Sequence, residues 1–450
     1  MELITILRGL AGVIFILGIT FLFSNNKKKI NWRLVGTGLS IQLIFAVFII
    51  HGETFRSWFF ILGWPKDMLN WFGGVVVKIL SFIAEGSQFV FGSLAVSPGS
   101  NGSLGFFFAF QVLPTIIFFA SLTAVLYYTG VLQMIVKWMA FIMAKLLGTS
   151  GAESLSNTAN IFIGQTEAPI LIRPYINSMT NSELLTIMIG GMATVAGGVM
   201  ASYIQMLGHA MSVAKGIPLN EAQLGFAIHL ITASVMAAPA SIVIAKMLHP
   251  ETKVPVTLGK VTMEVEKNGS NVIEAAANGA SDGLKLALNV GGMLIVFIAF
   301  IYLFNYLFHS FGDIIGINAW LTAKFGQPLS MQLIMGLPLK YLAIGIGVPT
   351  QDAFDFGRLF GTKIVLNEFV AYLDLVKIIK ANAMSAKGIT MATFALCGFA
   401  NFSSIAIQLG GIAPLAPGRK KDIAALGLKS VLGGGLVTLL TATLAGVLIW

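Results

Sequence analysis

Twice in this chain a carboxylate sits in a polar knot inside otherwise apolar sequence: Glu167 in NIFIGQTEAPILI and Glu368 in KIVLNEFVAYLDL. That placement limits the possible folds more than any other feature. An ionisable residue at bilayer depth costs about 2.5–3.5 kcal/mol on insertion scales, so it normally faces a cavity and marks a pathway. Two such residues point to one shared site.

Composition supplies the membrane premise. The 450 residues are 56% hydrophobic and 10% charged, with 34 Phe against 19 Asp plus Glu, too little charge to wet the surface of a soluble domain. The chain is therefore better divided by the roughly 20 residues that one spanning helix consumes than by domain size. The net charge of +9 concerns topology, because Lys and Arg fall in short connections between apolar runs. That distribution argues against nucleic acid as a partner. The lone Cys397 can form no internal disulfide, no Cys/His spacing suggests a metal centre, and His51, His209, His229, His249 and His309 are scattered without ligand spacing.

The apolar run Leu10 to Phe23 has its basic cluster, SNNKKK, after it and bulky FLFS where a cleavage site would be small. It reads as a retained first helix and not as a signal peptide, with the amino end outside. Lys27 to Arg33 lies between this run and a second, Leu34 to Ile50, and the positive-inside rule puts it in the cytoplasm. Residues 1–51 thus hold two spans. Over 52–104 the Trp-rich FRSWFFILGWPKDMLNWFGG, interrupted by Pro65, fits interfacial amphipathic helices better than a span.

Residues 105–247 read as a first repeat. A span, FFFAFQVLPTIIFFASLTAVLYY, precedes the Glu167 segment, whose arms, Ser154 to Ile163 and Ala168 to Met179, are each about half a bilayer long as helix. A re-entrant hairpin with GQTEAP at its tip fits, and such backbone is tolerated only where protein or a watery cavity covers it. Next comes LLTIMIGGMATVAGGVMASYI, with Gly190, Gly191, Gly197 and Gly198 about its centre. These glycines signal either close helix packing or an unwound segment exposing carbonyls. The span Phe226 to Met247 closes the unit, and 248–284 reads as a polar cytoplasmic loop.

Residues 285–450 repeat the order: span Leu286 to Phe308, hairpin at Asn367-Glu368, broken span FALCGFANFSSIAIQL, basic Arg419-Lys420-Lys421, final span from Gly427. Each unit contributes an odd number of crossings, so the second lies inverted relative to the first, as in transporters. The expected fold is an all-α polytopic membrane protein of about eight spans and two re-entrant hairpins whose tips meet near the midplane. The carboxyl end falls outside, like the amino end. Asp355 and Arg358, with Asp352 nearby, read as a local pair at i, i+3 spacing and not as a substrate contact.

GQTEAP, NEFVAY and CGFANFSS, in this order and spacing, resemble the concentrative nucleoside transporter family over nearly the whole chain. The resemblance implies a sodium- or proton-driven nucleoside symporter of the cell's inner membrane, a homotrimer with a scaffold domain and a mobile transport domain working as an elevator. Carried onto matching positions, it implies that Gly164, Gln165, Thr166, Glu167 and Val199 approach the nucleobase. Glu368, Phe399, Asn401 and Ser404 would hold the ribose. It also implies a Na⁺ site built from Asn160, the Ile163 and Val195 carbonyls, and Thr194. Asn160 and the Thr194 hydroxyl match the sodium-coupled pattern, and neither titrates near neutrality.

The residue chemistry is compatible: a carboxylate accepts from ribose hydroxyls in charge-assisted bonds, while Gln165 and Asn401 offer both donors and acceptors. Competing readings are structural. Glu167 alone could cap a hairpin helix, and Asn401, Ser403 and Ser404 alone could be interhelical glue. Proton coupling stays open through Glu167. An intramembrane enzyme using both carboxylates, and a channel, are the readings from other classes.

Overall fold

The computed structural model describes residues 3–50, 52–58, 63–97, 101–260 and 269–448. His51, positions 59–62 of the Trp-rich stretch and the end of the final span lie outside them. The amino-terminal part comprises α1 (Leu3–Leu22), α2 (Trp32–Ile50), α3 (Gly52–Trp58), α4 (Trp64–Phe91), α5 (Phe108–Gln111), α6 (Leu113–Tyr128) and α7 (Val131–Leu147). The first hairpin, the broken span after it and the span that closes the first repeat are built from α8 (Gly151–Ala159), α9 (Arg173–Ile176), α10 (Asn181–Ala193), α11 (Gly197–Lys215) and α12 (Leu219–Leu248). The remainder is α13 (Val272–Ile314), α14 (Asn318–Phe325), α15 (Met331–Gly345), α16 (Ala353–Val365), α17 (Glu368–Lys380), α18 (Ala386–Leu396), α19 (Phe402–Ile412) and α20 (Lys420–Leu448). This is the all-α polytopic fold class expected from the sequence. Among the described residues, 7 helical stretches are long and apolar enough to cross a membrane.

Two segments differ from the sequence reading. The expected loop over 248–284 is helical from Val272 onward, because Asn271 accepts the Glu274 N–H at 2.9 Å and starts α13 on the Ala-rich EAAANGAS. The polar sequence there is solvated helix, not loop. Within 52–104, α4 is one continuous helix with a buried stripe of Leu69, Gly73, Val76, Leu80 and Ile83. It is amphipathic, and its length and composition would also let it cross a bilayer.

Burial sorts the long helices into two sets. In the most apolar windows of α12 and α20, 83% and 89% of residues are buried, against 17% in α13 and 28% around α6. The first set forms a dense body with the hairpins and broken spans, while α6 and α13 pack on one another as an outer wall.

Within the body, helices stop and start on local signals. Ser150 and Thr180 each make a capping box with the acid three residues on, Glu153 and Glu183, so α8 and α10 begin at fixed points. At this end Lys246 is buried against Glu153 at 2.9 Å and Glu251 at 3.2 Å, and it donates to the Ser182 hydroxyl at 3.1 Å. The Arg419 guanidinium donates to the carbonyl of Met179 and to Asn181 Oδ1, tying the start of α20 to the end of the first hairpin. In the second hairpin, Asp352 accepts from the N–H and hydroxyl of Ser385, which caps α18. Arg358 donates to Asp355 at 2.6 Å, the local pair expected from the spacing.

Candidate functional site

Four interruptions of helix meet in the interior. The first hairpin turns between Asn160, the C-cap of α8, and a 3-10 stretch Ala168–Ile172 with Pro169 in its first turn. The second turns at Leu366-Asn367, where Asn367 caps α17 by accepting the Val370 N–H at 2.9 Å. One broken span unwinds from Thr194 to Ala196, the other from Cys397 to Asn401. Gly398 has φ +153°, and a Cβ there would meet the Met192 carbonyl oxygen at 2.8 Å, so only glycine lets the second break lie against the end of α10. The Gly197 N–H donates to the Phe162 carbonyl at 3.2 Å, which joins the first hairpin to the first break.

All the residues expected to contact solute line one cavity of about 690 Å³: Gly164, Gln165, Thr166, Glu167, Val199, Glu368, Phe399, Asn401 and Ser404. Its far wall is the mostly apolar side of α6 and α13, including Ile116, Leu286 and Val290, with Thr123 and Asp282 as polar exceptions. Glu368 is the first residue of α17, where a negative charge is favoured, and it is buried. Its Oε1 accepts from the Tyr203 hydroxyl at 2.9 Å and its Oε2 from Asn401 Nδ2 at 3.1 Å. Asn401 also caps α19, its Oδ1 accepting from the Ser404 N–H at 2.9 Å and the Ser403 hydroxyl at 2.8 Å. Gln165 Nε2 donates to the Ser404 hydroxyl at 3.4 Å, while its buried Oε1 has no protein partner. Phe399 is half-buried at the wall, and Glu167 is exposed to the cavity.

The expected cation residues lie at the edge of this cavity. Ile163 lines it, whereas Asn160, Thr194 and Val195 are buried behind it. Asn160 Nδ2 donates to the Ser156 carbonyl at 3.0 Å, leaving Asn160 Oδ1 and the Ser156 hydroxyl buried without a hydrogen-bond partner. The Thr194 hydroxyl donates to Gly190 O at 2.9 Å, so its lone pairs stay available. Unsatisfied hard oxygens of this kind suit a hard cation.

Sequence reasoning put Asn367 at the hairpin tip without giving it a role, and it missed Tyr203, Phe369, Lys246 and Lys363. Tyr203 packs tilted against Tyr372 at 4.3 Å and edge-on to Phe369 at 5.1 Å between ring centroids, holding its hydroxyl on Glu368. Nothing in MASYIQ distinguishes it from a packing aromatic. Lys363 and Lys246, each inside apolar sequence, did carry a readable signal.

A chamber of carboxylate, amides and an aromatic, built from half-helices of two repeats, defines a membrane carrier for a small polar solute. The family descriptions that match are "Na+ dependent nucleoside transporter N-terminus" over 11–94, "Nucleoside recognition" over 109–210 and "Na+ dependent nucleoside transporter C-terminus" over 229–446. An uncharacterized transporter of Haemophilus influenzae is 42% identical over 99% of this chain and 98% of its own length. Nucleoside permease NupC of Helicobacter pylori is 38% identical over 98% of each chain. The solved structure of CNTnw in an inward-facing substrate-bound state superposes with TM-score 0.83 at 39% identity, covering 99% of both chains. The chain belongs to the concentrative, Na⁺-dependent nucleoside transporter family, and it is a nucleoside transporter, not an enzyme.

Proposed function

We propose that this protein imports nucleosides by symport with Na⁺, the hairpin body moving as an elevator against a fixed scaffold that includes α6 and α13. The observation that carries the reading is the convergence of the nine solute residues on one cavity, next to buried oxygens that lack partners. Glu368 accepts from the ribose hydroxyls, with Tyr203 and Asn401 holding the carboxylate in position. Phe399 covers a face of the sugar and base, and Gln165, Thr166 and Glu167 read the base edge. Na⁺ binds Asn160, Thr194 and the Ile163 and Val195 carbonyls.

Coupling follows from shared elements. The first hairpin supplies residues to both ligands, so either ligand reduces the cost of ordering it for the other, and by linkage the effect is reciprocal. The contrast in burial between the hairpin body and the α6–α13 wall supports motion of one against the other. The resemblance to the family supports assembly as a homotrimer in the inner membrane, where the exposed apolar face of α13, including Ile295, Tyr302 and Tyr306, suits an apolar surround. Both termini are assigned to the outside, by the positive-inside rule applied to Lys27 to Lys29 and Arg419 to Lys421.

The test is uridine uptake into proteoliposomes under an inward Na⁺ gradient and, separately, an inward H⁺ gradient. Accumulation driven by Na⁺ supports the reading. Accumulation driven by H⁺ alone moves coupling to the carboxylates, and nucleoside affinity independent of Na⁺ refutes equilibrium coupling.

A further inference from the structure

Lys363 is fully buried in the second hairpin, and the scheme for binding nucleoside and Na⁺ makes no use of it. Its ammonium donates to the Ala395 carbonyl at 2.8 Å and the Thr438 hydroxyl at 3.0 Å, and it lies 5.7 Å from the centroid of the Phe360 ring. A buried charge persists only when it is paired and hydrogen-bonded. The nearest carboxylate along the chain is Glu368, which opens α17 just across the hairpin break from the last turn of α16 that carries Lys363.

Its place in the repeat is informative. Lys363 occupies the last turn of α16, and Ala395 the last turn of α18. The ammonium therefore sits where the carbonyl ends of two half-helices converge, each with partial negative charge. In the first repeat the same convergence brings together the ends of α8 and α10, capped by Asn160 and Thr194. Neither of those helices contains a Lys or Arg. The Asn160 Oδ1, Asn157 Oδ1 and Ser156 hydroxyl oxygens there are buried without partners. Among the described residues from 353 to 401, by contrast, no buried side-chain nitrogen or oxygen lacks one. One junction is short of a cation, and the other has a cation covalently attached.

We propose that Lys363 is a tethered cation: its ammonium fills, in the second repeat, the place a free Na⁺ takes in the first, and serves as the permanent counter-charge of Glu368. The first half of this inference rests on the proposed Na⁺ site; the pairing of Lys363 with Glu368 does not. The solute carboxylate is then neutralised in every state of the carrier, loaded or empty, and of the two junctions only one draws an ion from solution.

The experiment uses the full-length protein in detergent and in proteoliposomes, with Lys363→Met and the double variant Lys363→Met/Glu368→Gln. Two readouts are taken: melting temperature against Na⁺ concentration, and uridine affinity at low and saturating Na⁺. In Lys363→Met the vacated carbonyl cage must recruit Na⁺. Stabilisation by Na⁺ should change from a one-site to a two-site dependence, and uridine affinity at low Na⁺ should fall at least about tenfold and recover at high Na⁺. The double variant, which removes both charges, should return to one-site Na⁺ dependence and be more stable than Lys363→Met. That comparison still decides the matter if the single variant fails to fold. Wild-type Na⁺ dependence and uridine affinity in folded Lys363→Met, or a double variant less stable than the single, overturns the proposal. A wild-type protein insensitive to Na⁺ would instead sink the Na⁺ reading, leaving the Lys363–Glu368 comparison interpretable on its own.

Discussion

Substituting Glu368 by Gln tests whether this carboxylate holds the ribose, and the structure sets the size of the effect. Each carboxylate oxygen already accepts one protein donor, from Tyr203 at 2.9 Å and from Asn401 at 3.1 Å. A carboxylate accepts about four hydrogen bonds, so about two acceptor positions are left for ribose hydroxyls. A bond to a charged group is worth about 1.5–3 kcal/mol against about 0.5–1.5 for a neutral one, so two bonds lose about 2–3 kcal/mol. That corresponds to roughly 30- to 150-fold weaker uridine binding. The assay is calorimetric titration in saturating Na⁺ with uridine and with 2′,3′-dideoxyuridine, on wild type and Glu368→Gln. Loss of the hydroxyls should cost wild type heavily and the variant little. Equal weakening of both ligands by the substitution would refute the ribose assignment and make Glu368 a structural group.

Lys246→Met leaves Glu153 buried beside a methyl group; it should destabilise the folded protein by about 3–5 kcal/mol, measured as a drop in melting temperature. Retained stability would mean that Glu251 and Glu153 do not depend on that charge. Asn160→Ala removes one of the orphaned oxygens and should lower the apparent Na⁺ affinity of uridine uptake at least about tenfold, while uridine binding at very high Na⁺ is kept. The loop after α12 should loosen in acid. Burial pushes the Glu251 carboxyl up, but the Lys246 ammonium and the Thr180 hydroxyl outweigh it and hold the group below its ordinary value. Burial, then the neighbouring Lys429 charge, holds His249 low as well. Both groups have folded values below their unfolded ones, so their contributions are complete above the unfolded values and vanish as pH falls through the folded ones. Limited proteolysis near Lys253 should accelerate through that window, and a flat profile would count against the Lys246–Glu251 pair as what holds the loop.

The site was more legible in the sequence than the frame that carries it. Polar residues such as Gln165, Glu368 and Asn401 stand out because apolar surroundings make them costly, and that cost has to be met somewhere nearby. Tyr203 was invisible for the opposite reason: an aromatic in a membrane helix has a sufficient explanation in packing. The start of α13 was missed because charged residues such as Glu274 and Asp282 look like loop in a hydrophobic chain, though alanines and an Asn cap favour helix. Lys363, a cation inside apolar sequence, went unread, and its meaning comes only from the Ala395 carbonyl, a contact between separate helices.

The cavity has walls of two kinds: polar hairpins on one side, and the apolar flank of α6 and α13 on the other. In the proposed elevator, a nucleoside held by Glu368 and Gln165 would travel with the hairpins as cargo. A nucleoside bearing a greasy substituent long enough to grip Leu286 and Val290 would be fastened to both walls at once. Such a compound would act as a doorstop, and its potency would depend on the side chains of α6 and α13, which the natural cargo in that scheme would only slide past.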